Sequence, residues 1–187
     1  MLGNSAVGKT SIFNRLTTNT YFEEGITTTS AFHKQIECPS TDSAYKLKVN
    51  LWDTAGQEQY QSLTEMYVRD AAGVIIVYDI TAKQTFEDIA TWMRIVEQHC
   101  DLAETSLALV GNKCDNRELQ IVKFSDAAEQ KKVIGAQIFL EVSAKENEGM
   151  QALLAELSKQ LLLKHREEKK RGLDLERKSK KKGCCKS

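Results

Sequence analysis

Gly3-Asn4-Ser5-Ala6-Val7-Gly8-Lys9-Thr10 runs directly into a helical pattern, and few folds can hold such a stretch. Glycines at both ends let the backbone wrap tightly, so that successive N–H groups point inward. The helix beginning at Lys9 aims the positive end of its dipole at the same place. The segment fits the pattern G-x-x-x-x-G-K-[ST]. Its cradle of donors, with the Lys9 ammonium, suits the β- and γ-phosphates of a nucleotide. The Thr10 hydroxyl suits Mg²⁺, a hard ion that keeps several waters. By itself the segment indicates a nucleotide or phosphate binder and nothing finer.

Apolar stretches of strand character alternate with helical patterns along the chain. Strands are expected over Phe32–Cys38, Tyr45–Trp52, Val74–Ile80, Ser106–Gly111 and Gln137–Val142. Val74-Ile75-Ile76-Val77-Tyr78 and Leu107-Ala108-Leu109-Val110 are continuous apolar runs, as in strands buried on both faces of a parallel sheet. Helices are expected over Lys9–Thr18, Ser62–Asp70, Gln84–Cys100, Ser125–Val133 and Gly149–Arg166, the last with an apolar stripe from Met150 to Leu162. Such alternation predicts a doubly wound α/β domain. Phe32–Cys38 and Tyr45–Trp52 have no helix between them and read as an antiparallel hairpin at one edge.

Three further segments follow strand ends, where open α/β sheets bind ligands. In Asp53-Thr54-Ala55-Gly56-Gln57, the Asp53 carboxylate suits a Mg²⁺ contact, Gly56 lets its N–H approach a γ-phosphate, and Gln57 can orient an attacking water. In Asn112-Lys113-Cys114-Asp115, Asp115 can accept from both N1–H and the N2 amine of guanine, which adenine lacks. Asn112 can tie the loops together, and the stem of Lys113 can cover one face of the base. In Ser143-Ala144-Lys145, a backbone N–H near Ala144 can bind guanine O6. Tyr21 or Phe22 can pack on the base or ribose. The nucleotide-binding set is then Gly3, Asn4, Ser5, Ala6, Val7, Gly8, Lys9, Thr10, Ser11, Tyr21, Thr28, Asp53, Gly56, Asn112, Lys113, Asp115, Ser143, Ala144 and Lys145, with Thr28 resting on the resemblance below.

Charge is distributed unevenly. The formal net charge is zero, yet residues 164–187 carry eleven Lys/Arg against four Asp/Glu, a surplus of +7. An acidic globule with a basic tail points to an anionic surface as the tail's partner, and not to nucleic acid. From Lys164 onward apolar content collapses and disorder is expected. Cys184 and Cys185 follow the lysine run, and two adjacent cysteines on a basic terminus suit double lipidation. Five cysteines without regular spacing argue for a reducing compartment. No run of eighteen apolar residues and no secretory leader is present.

These motifs, with Trp52-Asp53-Thr54-Ala55-Gly56-Gln57-Glu58, Tyr78-Asp79-Ile80-Thr81 and the terminal Cys184-Cys185, resemble the Rab family within the Ras superfamily of small GTPases. Ser30-Ala31-Phe32 and Gln59-Tyr60-Gln61-Ser62-Leu63 lean toward its endosomal branch. The resemblance implies a P-loop NTPase small G domain over residues 1–163, with a mostly parallel, six-stranded-type sheet flanked by helices, and a basic tail over 164–187. It implies a GTP/GDP switch in membrane traffic with Mg²⁺ held by Thr10, Asp53 and the switch I threonine. That threonine is Thr28 counting forward from Lys9 and Thr27 counting back from Phe32. Phe32, Trp52 and Tyr67 would be an aromatic triad read by effectors. Partners would be an exchange factor, an activating protein, a GDP-dissociation inhibitor and effectors. Location would be the cytoplasmic face of intracellular membranes, through prenylated Cys184 and Cys185. Catalysis would rest on Gln57. Two other functions compete: a nucleotide-dependent scaffold that barely hydrolyses GTP, and a phosphate-loop kinase or ATPase, against which Asp115 speaks.

Two departures from the family pattern stand out. Gln59 replaces the usual Arg. Only Met1-Leu2 precede Gly3, where the family has a buried central strand, and losing such a strand implies weak nucleotide binding and low stability.

Overall fold

Buried on both faces, the two continuous apolar runs pair in parallel, as their composition requires. In the computed structural model, β3 (Gly73–Asp79) pairs with β4 (Ser106–Asn112), and β4 with β5 (Ile138–Glu141), all parallel. The structure describes residues 1–23, 31–38, 47–54 and 61–182; of these, 61–64, 168 and 170–182 are described as backbone only. β1 (Phe32–Cys38) and β2 (Leu47–Asp53) form the expected antiparallel hairpin, with Phe32 opposite Asp53.

Helices cover both faces. On one lie α1 (Lys9–Thr18) and α6 (Met150–Lys182); on the other lie α2 (Gln61–Val68), α3 (Lys83–Glu87), α4 (Ile89–His99) and α5 (Phe124–Val133). Successive side chains of a strand point to opposite faces. Ile75 and Val77 of β3, with Ala108 and Val110 of β4, therefore pack toward α1 and the stripe Met150, Leu153, Leu154 and Leu157 of α6. Val74, Ile76, Tyr78, Leu107 and Leu109 face Ile89, Trp92, Met93 and Val96 of α4 and Ala127 of α5. The architecture is the expected α/β sandwich.

Among the described residues the strands make a two-stranded and a three-stranded sheet, and Met1-Leu2 stand between them where the family's first strand would lie. Leu2 makes a parallel bridge to Ile76, with its N–H on the Ile75 carbonyl at 2.7 Å and its own carbonyl accepting from Val77 N–H at 2.8 Å. On the other side, the Met1 amine donates to the Trp52 carbonyl at 2.8 Å, and Thr54 Oγ1 donates to the Met1 carbonyl at 2.7 Å. Met1 and Leu2 thus place the phosphate loop between β2 and β3.

Two helices differ from expectation. The segment Gln84–Cys100 is two helices that abut at Asp88, whose backbone N–H bonds the Gln84 carbonyl while its carbonyl accepts from Thr91 and Trp92. Apolar spacing cannot register so short a change of direction. The last helix is longer than Gly149–Arg166: the backbone of α6 is helical through Lys182. Straight-chain Lys, Arg, Glu and Leu dominate there, and these residues favour helix even without an apolar face to bury.

Candidate guanine-nucleotide site

The parallel register puts the loop-forming strand ends side by side. Asp79 pairs with Asn112, and Gly111 with Glu141, so the segments after β3, β4 and β5 emerge at one edge. The phosphate loop emerges beside them, because Leu2 runs parallel to β3. Gly3 takes φ 140°, and a Cβ there would lie 2.2 Å from the Val77 carbonyl oxygen. Gly8 takes φ 95°, and a Cβ there would lie 2.2 Å from Asn112 Nδ2. Both glycines are thus required by close approach as well as by conformation. Ala6 also sits in the left-handed region at φ 62°.

A cleft of about 360 Å³ opens at this edge. Ser5, Ala6, Gly8, Lys9, Thr10, Ser11, Tyr21, Phe22, Glu23, Thr54, Asn112, Lys113, Asp115, Asn116, Ala144 and Lys145 line it. Residues more than a hundred positions apart are thereby brought together. Gly3, Val7, Asp53 and Ser143 are buried and do not line it. The Asn4 side chain accepts from Trp92 Nε1 at 2.8 Å and donates to Asp88, which leaves its backbone N–H as the group it could offer a phosphate. Thr28, with its alternative Thr27, Gly56, Gln57, Cys184 and Cys185 lie outside the described residues.

Lys9 is buried, and its ammonium donates to the carbonyls of Gly3 at 2.8 Å and Asn4 at 2.7 Å. Burial pushes this ammonium down to about 8, against a smaller opposing effect of Asp53. A polyphosphate in the cleft would favour the charged form and raise it again. Asp53 is fully buried. Its Oδ2 accepts from Thr10 Oγ1 at 2.7 Å, and its Oδ1 has no partner. Burial pushes its carboxyl above the usual range, opposed by Thr10 and Lys9. A carboxylate oxygen left unpaired beside a hydroxyl, at the foot of a phosphate cradle, fits Mg²⁺ with its oxygen-only chemistry. Among the described residues no group of three or more His, Cys, Asp and Glu could hold a metal.

The base side is cross-braced. Asn112 Nδ2 donates to the Val7 carbonyl at 2.9 Å, and Asn112 Oδ1 accepts from Ala144 N–H at 3.2 Å. Ser143 Oγ donates to Asp115 Oδ1 at 2.6 Å. Lys113, at φ 69°, sends its ammonium to Asp79 Oδ2 at 2.7 Å, while Asp79 Oδ1 accepts from Thr81 N–H and Oγ1. The sequence reading missed Asp79 as a partner of the base loop. Its position at the end of β3, level with Asn112, is the signal that would have found it. Tyr21 lines the cleft, whereas Phe22, which also lines it, is 65% exposed.

Of the aromatic trio, Trp52 and Tyr67 meet, with ring centroids 5.0 Å apart. His33 also stacks on Trp52, at 4.5 Å, and Phe32 stands 57% exposed. His33 was not singled out from the sequence.

A phosphate-loop pattern, a buried carboxylate with a free oxygen and the Asn112–Asp115 loop meet at one edge of an α/β domain, the arrangement expected of a guanine-nucleotide-binding domain. Comparison with known proteins agrees. The family model described as Ras family matches residues 1–163. The chain is 35% identical over 171 residues to Ras-related protein SEC4 of Candida albicans, covering 90% of this chain and 78% of that one. It is 36% identical over 169 residues to Ras-related protein Rab-12 of Mus musculus, covering 88% and 66%. It is 34% identical over 166 residues to Ras-related protein Rab-19 of Homo sapiens, covering 88% and 75%. The chain belongs to the Ras family, as a small GTPase of the Rab type.

Proposed function

We propose that this chain binds GTP and GDP with Mg²⁺, hydrolyses GTP slowly, and acts as a membrane-traffic switch. The observation that supports this most directly is the bracing of three distant loops onto one cleft by Asn112, with Asp115 at its base end and Lys9 at its phosphate end. Lys9 and the loop N–H groups would neutralise the phosphates, and Asp115 would accept from the guanine edge. Thr10 and Asp53 would hold Mg²⁺ together with the switch I threonine, which we take as Thr28. The ion supplies charge neutralisation at the β- and γ-oxygens. Gly56 would meet the γ-phosphate, and Gln57 would orient the attacking water. With no cis arginine supplied in the sequence pattern, an activating protein would add charge in trans.

The GTP state would order the segments around Thr28 and Gly56, and effectors would read Phe32, Trp52 and Tyr67 beside them. Prenylation at Cys184 and Cys185, with the lysines before them, would attach the protein to the cytoplasmic face of an intracellular membrane, with the endosome favoured. No helix among the described residues is long and apolar enough to cross a membrane. An exchange factor and a GDP-dissociation inhibitor would complete the cycle.

The test is chromatography of the nucleotide released from purified protein, followed by single-turnover GTP cleavage with and without Gln57→Leu. GDP or GTP in the extract and a hydrolysis rate lowered at least tenfold by the substitution are expected. ATP in the extract, or a measurable rate that Gln57→Leu leaves unchanged, overturns the reading.

A further inference from the structure

Arg15 lies on α1 beyond the G-x-x-x-x-G-K-T pattern, and its side chain reaches across 129 and 130 positions of sequence. Its Nε–H donates to the Ala144 carbonyl at 2.7 Å, Nη2 to the Lys145 carbonyl at 2.8 Å, and Nη1 to the Asn19 carbonyl at 3.0 Å. The same guanidinium lies 5.7 Å from the centroid of the Tyr21 ring. A planar fork of five donors can serve three carbonyls and a ring face at once, and an ammonium cannot. Lys145 adds a second tie, with its Nζ 3.9 Å from the Glu23 carboxylate. Both ties join the loop after β5 to the chain leaving α1, on the two sides of the cleft where a base and ribose would lie.

We infer that Arg15 is a positioning residue for the guanine nucleotide: it makes the base loop and the Tyr21 flank one body carried by α1. The inference rests on the reading of the cleft as a guanine-nucleotide site. Arg15 lies outside the cleft lining, so its effect passes through Ala144, Lys145 and Tyr21. Its removal should loosen the grip on base and ribose, which GDP and GTP share, and leave the phosphate end in place.

The test uses the full chain loaded with a fluorescent GDP analogue in the presence of Mg²⁺. Arg15→Lys keeps the charge and the aliphatic stem but loses the fork. It should release GDP about tenfold faster, and GTP faster by the same factor. The single-turnover hydrolysis constant of bound GTP should stay within about twofold of the unsubstituted chain, a split that general loosening would not produce. Tyr21→Leu should release GDP roughly threefold faster, and the double variant less than the product of the two, because they share one contact. If Arg15→Lys melts at the normal temperature and releases nucleotide at the normal rate, the inference falls. It falls equally if hydrolysis drops in step with retention. Should Arg15→Lys not fold, Tyr21→Leu decides alone, and an unchanged release rate overturns the inference. A native chain that holds no GDP would instead defeat the guanine-site reading, and this inference with it.

Discussion

Thr10 Oγ1 donates to Asp53 Oδ2 at 2.7 Å, joining two residues 43 positions apart and leaving Asp53 Oδ1 buried without a partner. A buried carboxylate with a free oxygen is a standing penalty until a cation meets it. Asp53→Asn keeps the shape and removes the charge. The Mg²⁺ concentration needed for half-maximal GDP retention should rise about tenfold or more. EDTA should speed GDP release from the native chain and have little effect on the variant. Equal EDTA sensitivity in both would show that Asp53 has no part in holding the ion.

Asp115 is held by the Ser143 hydroxyl at 2.6 Å, which leaves its second oxygen free to accept from a base. Asp115→Asn offers a donor where guanine also has donors. GDP affinity should fall at least tenfold, and xanthosine diphosphate, which carries an oxygen in place of the N2 amine, should gain. Competition between the two diphosphates on both proteins measures the exchange. Retained guanine preference in the variant would move base recognition elsewhere.

Tyr78 carries a fully buried hydroxyl with no hydrogen-bond partner, directed at Gly111 on the neighbouring strand. A Cβ at position 111 would lie 2.6 Å from that oxygen and 2.8 Å from Cζ. Gly111→Ala should therefore destabilise the fold by about 1–3 kcal/mol. Tyr78→Phe should be neutral or stabilising by about 1 kcal/mol, because it removes an unsatisfied polar group. In the Tyr78→Phe background, Gly111→Ala should cost less than in the native one. Urea denaturation of the four proteins completes the cycle, and additive effects would refute the contact.

Burial pushes the Cys114 thiol up to about 11, and burial also raises Cys38 and Cys100. An unfolded thiol ionises near pH 8.5. Between these values the unfolded chain loses a proton that the folded chain keeps. The contribution to stability is thus fully present below about pH 8.5 and declines as pH rises toward 11. At pH 10.5 it should have fallen by on the order of 1 kcal/mol for Cys114. Denaturation at pH 8 and pH 10.5 should show a smaller drop for Cys114→Ala than for the native chain. An identical drop in both would rule out this thiol as a source.

What was legible in the sequence was local or tied to a dense motif. Lys9–Thr18 and Phe32–Cys38 match their elements end for end, because Gly8 opens the first and the turn residues Pro39-Ser40-Thr41-Asp42-Ser43 follow the second in the sequence. The cleft itself followed from four motifs at strand ends, since a parallel sheet delivers all such ends to one edge. Arg15, Asp79 and His33 were not legible. Their partners are Ala144 and Lys145, Lys113, and Trp52, each fixed by the packing of distant segments and by no spacing along the chain. The break at Asp88 escaped because Ile89, Trp92, Met93 and Val96 keep helical spacing on one side of it, while α3 buries no residue on the other.

Asn112 grips Val7 with one end of its amide and Ala144 with the other. The same amide anchors both halves of the socket, so in the native chain the sugar, ring and anionic end of a ligand should leave in a single kinetic phase.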